Sequence, residues 1–324
     1  FYPYCTMKIT KEKAQDALKD LQETWDIMFK GKKPKRSSTE WERQREKVNE
    51  KMRNLEPFVR EAAQRITITR SRGRPKLFGL VERTMLFLFV VLVGKSNRYC
   101  EALLEFFLPF FGLKVNYKYI ERLYSDEYVK LVLHNLFFLL IHLEGISGKF
   151  SGDGTGYSLT ITKHYSTNPK KKTKDYRYAF RLIDLETGMY VGVGYSKRSE
   201  MDAFNKTMQM VKDFGIQIDS ITLDKYYSSR KVLKLFGKKT SVYLIPKKNI
   251  ARIGKWAKII KRIIEDPVQY LKDYFQRNLS EAAFSADKRR FGWVIRQKRE
   301  DREETAMFST ALLHNIFSVR IAAQ

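Results

Sequence analysis

Cysteine is nearly absent: the 324-residue sequence has only Cys5 and Cys100. Two thiols make neither a disulfide framework nor a four-ligand zinc site. They read as reduced structural thiols of a cytosolic protein, with a single bond between them as the alternative. Long apolar runs are missing too. The longest, residues 85–93, stops at Gly94 and Lys95, well short of the roughly 20 residues a membrane-crossing helix needs. The run at 131–143 carries His134, Asn135 and His142. Both runs therefore read as buried helices. No secretory signal pattern is present. Because the sequence opens on Phe1 instead of Met, a missing or processed N-terminus is expected. Acid is scarce relative to base, with 36 Asp and Glu against 62 Lys and Arg, a net charge of +26. A field of that sign and size points to a polyanionic partner, and the short apolar runs favour nucleic acid over a membrane surface.

What is present is the composition of a folded protein, 43% hydrophobic and 14% aromatic, with length enough for two or three domains. Residues 1–76 read as a helical, basic DNA-binding region and linker. Two charged helical stretches there flank the basic turn Lys30-Gly31-Lys32-Lys33-Pro34-Lys35-Arg36. The segment closes on Arg72-Gly73-Arg74-Pro75-Lys76, whose flat Gly-Arg-Pro core suits a narrow minor groove. The alternative is a packing hairpin followed by a basic linker. Residues 77–147 read as a helical domain, either helix-turn-helix-like or a plain helical core.

At residue 148 the texture changes. Segments 150–161, 175–184 and 189–195 alternate as strands, and Leu185-Glu186-Thr187-Gly188 supplies a tight turn. An amphipathic helix at 200–214 precedes a short buried strand at 220–223, a helix at 229–236 and a strand at 242–245. The order β-β-β-α-β-α-β followed by helices predicts an α/β, ribonuclease H-like mixed sheet with flanking helices over 148–324. A helical insertion is expected at about 250–277.

Three acids stand out by position. Asp153 sits on the first strand among small neighbours, Ser151-Gly152-Asp153-Gly154-Thr155. Asp224 follows the buried strand Ile221-Thr222-Leu223, and Glu281 begins a helical stretch. Neighbouring first and fourth strands would set Asp153 beside Asp224. Hard divalent ions want oxygen ligands, and two such ions about 4 Å apart can serve both the attacking and the leaving oxygen of a phosphodiester displacement. A lone Asp at a strand end is more often a turn-former or cap, the reading given to Asp184, Asp202 and Asp219. Around Glu281 the spacing is Tyr274-x2-Arg277-x3-Glu281-x6-Lys288. On one continuous helix these four fall within roughly a 60° arc, a poor core face and a good one for a metal-bound phosphate backbone. Asn278-Leu279-Ser280 is a possible break in that register. A solvated stripe with one Arg277–Glu281 ion pair is the plainer alternative.

That spacing resembles the YREK signature of the DDE transposases of bacterial and archaeal insertion sequences. Asp224-Lys225-Tyr226-Tyr227-Ser228-Ser229 is similar to the family's second-aspartate motif, and Asp153-Gly154-Thr155 to its first-aspartate strand. Phe284-Ser285-Ala286-Asp287-Lys288-Arg289-Arg290-Phe291-Gly292 is similar to the segment after the glutamate. The resemblance covers about residues 148–320. It implies that Asp153, Asp224 and Glu281 are the catalytic, metal-holding triad, with two Mg²⁺ or Mn²⁺ ions as cofactors. It also implies that Tyr274, Arg277 and Lys288 contact the element's end. Lys225 and Tyr226 depart from the small residues common there. Asp224 and Glu281 are 57 positions apart, which leaves room for a strand and a helical insertion, but not for a large β insertion.

The expectation is a transposase that cuts double-stranded DNA at terminal inverted repeats and joins it to target DNA. It would act as a homodimer on DNA, in the prokaryotic cytoplasm at the nucleoid. Arg72, Arg74, Lys76 and the runs Lys170-Lys171-Lys172, Lys247-Lys248 and Arg289-Arg290 would follow the DNA. Two rivals stay open: a non-catalytic DNA-binding protein with a retired nuclease fold, and a nuclease or resolvase without strand transfer. Trp293 reads as a core residue, with stacking on a displaced base as the alternative.

Overall fold

The computed structural model describes residues 10–28, 38–69, 76–112, 114–159, 176–247 and 253–319. The basic turn at 30–36, Arg72, Arg74, Lys170-Lys171-Lys172, Lys248 and Cys5 lie outside the described residues. Cys100 is a buried free thiol.

The N-terminal part is helical: α1 (Lys11–Met28), α2 (Ser38–Arg53), α3 (Leu55–Gln64), α4 (Leu80–Val93), α5 (Asn97–Phe106), α6 (Leu108–Phe111), α7 (Tyr117–Leu123) and α8 (Glu127–Glu144). Residues 85–93 and 131–143 form α4 and α8, whose apolar side chains are buried on most sides. Among the described residues no helix is long and apolar enough to cross a membrane. Helix starts follow local chemistry. Asp126 caps α8 by accepting from the backbone N–H groups of Tyr128 and Val129, which satisfies donors that a helix leaves orphaned. The same carboxylate pairs with buried Arg83 of α4. Exposed Lys76 reaches it at 3.8 Å.

The second part is a mixed sheet built from β1 (Lys149–Leu159), β2 (Tyr176–Asp184), β3 (Tyr190–Ser196), β4 (Ser220–Leu223), β5 (Ser241–Tyr243) and β6 (Val294–Ile295). The strand order is β3-β2-β1-β4-β5, with β6 beside the far end of β1. The first three strands are antiparallel, while β4 and β6 run parallel to β1 and β5 parallel to β4. The turn expected at Leu185–Gly188 joins β2 to β3, closed by the Gly188 N–H donating to the Asp184 carbonyl at 2.9 Å. Asp184 is a turn-former, its carboxylate accepting from Ser147 and Thr187.

Helices cover both faces. One carries α9 (Glu200–Asp213), α10 (Arg230–Leu235), α11 (Lys255–Glu265) and α12 (Pro267–Phe275), and α1 joins the same apolar cluster. Packing of α9 against β3 depends on Gly194, where a Cβ would sit 2.1 Å from the Ala203 carbonyl oxygen. The other face carries α13 (Asn278–Phe291) and α14 (Glu300–Ser318), and its apolar cluster runs on into α3–α8. Residues 77–147 thus share a continuous core with the sheet. The change of texture at 148 marks a change of secondary structure within that core.

Candidate active site

Alternation along β1 sorts its side chains. Gly152 and Gly154 face α9, where added Cβ atoms would meet Phe180 and Glu200. Ser151, Asp153 and Thr155 therefore face α13. Ser151 and Ser280 join β1 to α13 through a buried 3.1 Å hydroxyl pair, and the Ser280 hydroxyl also donates to the Arg277 carbonyl at 2.7 Å. These bonds fix the start of α13 over β1 one residue before Glu281. In the parallel β1–β4 pair Gly152 lies opposite Leu223, so Asp153 and Asp224 occupy the next step of the same ladder. Here β4 ends, and the Asp224 carboxylate caps the following turn by accepting from the Tyr226 N–H at 3.1 Å.

The three carboxylates expected from the sequence thus come from β1, the end of β4 and the first turn of α13. Arg277 lies among them. One of its guanidinium nitrogens is 2.7 Å from Glu281 and 3.4 Å from Asp224. The Arg277 side chain is only 15% exposed, against 38% for Asp224 and 48% for Glu281, so the cation forms the floor and the two acids the rim. Burial pushes the Asp153 carboxyl up to about 6. Its bond from the Gly154 N–H, at 2.9 Å, and the Arg277 charge pull the other way, while Glu281 and Asp224 add to the rise. Among the described residues no three acidic, histidine or cysteine side chains converge closely enough to share one metal ion as arranged. The donor set is nonetheless all carboxylate oxygen, the type preferred by Mg²⁺ and Mn²⁺.

The single stripe expected for Tyr274, Arg277, Glu281 and Lys288 is corrected. The helix breaks at Gln276–Arg277, between α12 and α13. Arg277, Glu281 and Lys288 keep their common register at the start and along α13. Tyr274 belongs to α12 and is buried at 2% exposure, so its ring supports the site from below and offers no surface to a phosphate. Its hydroxyl is pushed up to about 12 by burial first, and by the charges of Asp224, Glu281 and Asp153 against that of Arg277. Lys288 donates to the Thr155 hydroxyl at 2.5 Å and to the Gly156 carbonyl at 3.2 Å. Burial, then Arg181, lowers its pKa, with Asp153 opposing. Arg289 is exposed, and Arg290 lies over the Phe317 ring. Trp293, expected in the core, is 60% exposed. Its backbone carbonyl takes the Ser158 N–H at 3.3 Å, which holds the residue at the sheet margin and leaves the indole outside.

Two supports were not read from the sequence. Glu200 opens α9 below Gly154, where a Cβ would lie 2.1 Å from its carboxyl carbon. It accepts a 2.6 Å hydrogen bond from the Tyr227 hydroxyl, and Tyr227 belongs to the turn that Asp224 caps. The pair ties the Asp224 turn to β1 from the opposite side of the sheet. A helix-opening acid after Ser199 carries no signal of this; only the glycine at 154 hints that something approaches closely. The second support is Arg181, the cross-strand partner of Asp153. Fully buried, it donates to Asp287 of α13 at 2.7 Å and to Thr310 of α14.

No protein-family model matches the chain. Among solved structures it is similar to the piggyBac transposase in its synaptic complex with hairpin DNA, with 11% identity, a TM-score of 0.46, and coverage of 85% of this chain and 72% of that one. It is 59% identical over 315 residues to the "probable transposase for insertion sequence element ISA1214" of Archaeoglobus fulgidus, covering 97% of this chain and 98% of that protein. At that identity over nearly the whole of both chains, the protein belongs to the insertion-sequence transposases.

Proposed function

We propose that this transposase is of the DDE type, cutting double-stranded DNA at the ends of its insertion sequence and joining them to target DNA. The observation that carries this is the pairing of Asp224 and Glu281 with one Arg277 guanidinium, with Asp153 on the strand position beside Asp224. The strand order, with Asp153 and Asp224 on neighbouring parallel strands, is the one expected of a ribonuclease H-like sheet.

In this reading Asp153, Asp224 and Glu281 hold two Mg²⁺ or Mn²⁺ ions. Bound there, such ions supply Lewis acidity to the scissile phosphodiester and lower the pKa of water. The protein's own groups position and balance charge. Ser151 and Ser280 set the α13 helix on β1, and Glu200 with Tyr227 sets the Asp224 turn. Arg277 and Arg289 present cations to the phosphate backbone of the element's end, and Lys288 holds the Thr155–Gly156 strand beside it. Water attacks phosphorus at each end, breaks the P–O3′ bond and frees a 3′-hydroxyl; that hydroxyl then forms a new bond to a target phosphorus as the target's own P–O3′ bond breaks and its 3′-oxygen leaves as a hydroxyl. Two ends must meet, so a homodimer on DNA is the expected assembly, acting at the nucleoid of a prokaryotic cytoplasm. The basic segment with Arg72, Arg74 and Lys76 is assigned to DNA on its Arg-Gly-Arg-Pro-Lys sequence.

The test uses a duplex carrying the inverted repeat that flanks the gene, with Mg²⁺ or Mn²⁺. Wild-type protein cuts at the repeat boundary and joins the cut end to a second plasmid. Asp153→Asn, Asp224→Asn and Glu281→Gln each lose cleavage by at least about 10³-fold, roughly 4 kcal/mol of barrier, and still bind the duplex. Normal cleavage by the three amides would sink the mechanism. Cleavage without joining would leave a nuclease.

A further inference from the structure

Cations on the two sides of the site differ in kind. Between positions 225 and 264 the sequence holds thirteen Lys and Arg and no Asp or Glu, and ten of the thirteen are lysine. On the other side, positions 277–299 hold five arginines and two lysines together with Glu281 and Asp287. The lysine-rich stretch starts at the residue after Asp224.

Its exposed charges are brought together by the fold. Strands β4 and β5 are parallel, so the chain leaves both at one edge, the edge where Asp224 sits. From there α10 runs back along the sheet with Arg230, Lys231 and Lys234 exposed, and Lys238 and Lys239 follow in the next turn. The ammonium of Lys255, at the start of α11, donates to the Leu233 carbonyl at 2.7 Å and to that of Phe236. That bond pins α11 against the C-terminal end of α10. Lys118, Lys130, Lys149 and Lys197 elsewhere are all in ion pairs. Among the described residues Lys225, Arg230, Lys231, Lys234, Lys238 and Lys239 form none. Six exposed cations within fifteen positions, none with an acidic partner among the described residues, repel one another, and a polyanion relieves that repulsion while releasing its own counterions.

We infer that this lysine face is the docking surface for target DNA, bound as a duplex without regard to sequence. The inference rests on the transposition reaction proposed above. Lysine offers a point charge on a flexible stem, without the planar fork with which arginine reads guanine or clamps phosphate. A face of lysines grips any phosphate backbone at similar strength. The arginine-rich side, with Arg277, Arg289, Arg290 and exposed Trp293, retains the groups suited to a defined end. Lys225 follows Asp224 in the chain and Arg277 contacts it, so both kinds of cation reach the site where a freed 3′-hydroxyl and a target phosphodiester have to meet.

The experiment measures binding of the full-length protein to a random-sequence duplex by fluorescence anisotropy between about 50 and 200 mM salt, a range over which counterion release is readable. Arg230→Gln, Lys231→Gln and Lys234→Gln combined should lower the slope of log affinity against log salt by about 2 to 3. The ratio of strand transfer to end cleavage should fall with it. A charge-matched control, Lys114→Gln, Lys149→Gln and Lys212→Gln, should leave the slope within about 1 of wild type. Arg230→Lys, Lys231→Arg and Lys234→Arg combined should restore it. Equal losses in the α10 variant and the control, or an unchanged slope in the α10 variant, overturn the inference. Because the slope is read without catalysis, its failure is separate from any failure of wild type to cut and join DNA.

Discussion

Arg277 lies 2.7 Å from Glu281 across one turn of α13, and the same nitrogen lies 3.4 Å from Asp224. A guanidinium there offsets part of the charge of two carboxylates that, in the proposed reading, would hold a divalent ion. Metal entry and Arg277 compete for the same charge, so Arg277→Gln should bind Mn²⁺ more tightly than wild type in the absence of DNA. The expected gain is about tenfold, roughly 1.4 kcal/mol, a modest share of the attraction between charges a few ångströms apart near a protein surface. Cleavage of the element's end should fall in the same variant, because the cation is then missing from the DNA. Free Mn²⁺ followed by electron paramagnetic resonance separates the two effects. Equal affinities for wild type and variant would remove Arg277 from the metal site.

Asp153 gives a pH-dependent prediction. Its carboxyl is pushed up to about 6, chiefly by burial. The folded, metal-free chain therefore holds this proton more tightly than the unfolded chain. The associated stability is fully present below the unfolded value near 4 and is lost as pH rises through 6. Asp153→Asn removes an ionised, poorly solvated group, so the metal-free variant should melt higher than wild type at pH 8. A discount for partial exposure puts the gain at about 1–2 kcal/mol. At pH 4.5 the two should melt alike, and added Mg²⁺ should raise wild type alone. A variant less stable than wild type at pH 8 would contradict this account.

Tyr227 and Glu200 are predicted to act through Asp224. Tyr227→Phe removes the 2.6 Å bond to the carboxylate, a loss of about 1.5–3 kcal/mol for a hydrogen bond to a charged group. With the turn loosened, cleavage should slow while KM for the DNA stays near wild type, and a higher Mg²⁺ concentration should recover part of the rate. Loss of stability with an unchanged Mg²⁺ dependence would reduce the pair to a structural contact.

The sequence made five of the six strands readable, and β6 at Val294–Ile295 was missed because two residues carry no alternation. Partial alternation at 175–184, the turn at Leu185–Gly188 and the short apolar stretch at 220–223 gave the order of elements, and the expectation that Asp153 and Asp224 are neighbours came from the ribonuclease H-like sheet that order suggests. Glu281 was readable from its spacing to Arg277 and Lys288, which one helix preserves. Tyr274 misled because spacing alone continues a helix through Gln276, whereas the backbone turns there, with the Arg277 N–H donating to the Tyr274 carbonyl at 3.1 Å. Trp293 misled because large aromatic side chains are usually buried, and nothing in one sequence reports that its neighbours end at the sheet margin. Arg181 gave no warning either, since a charged residue in a strand reads as solvent-facing until its partner, 106 positions away, is seen.

That partner, Asp287, is the basis of the last prediction. Arg181 and Asp287 are 0% and 1% exposed and 2.7 Å apart. The Asp287 carboxylate also accepts from the Tyr190 hydroxyl at 2.8 Å and meets the His314 imidazole at 2.7 Å. The Arg181 guanidinium lies 5.0 Å from the Tyr190 ring centre and 5.3 Å from that of Phe284. Strands β2 and β3 and helices α13 and α14 thus meet on one charge cluster, two turns along α13 from Glu281. Removing one partner leaves the other charged, buried and unpaired. Asp287→Leu or Arg181→Met alone should therefore destabilise by about 3–5 kcal/mol. The double variant should be less destabilised than either, because it buries no unpaired charge. Its cleavage rate should stay well below wild type even when it folds, since α13 then lacks the bond that ties it to β2 beyond the Ser151–Ser280 contact, and with it part of what positions Glu281. Denaturant unfolding gives the stabilities, and cleavage assays on the folded fraction give the rates. If the double variant is folded and cuts at the wild-type rate, the Arg181–Asp287 pair has no part in positioning Glu281.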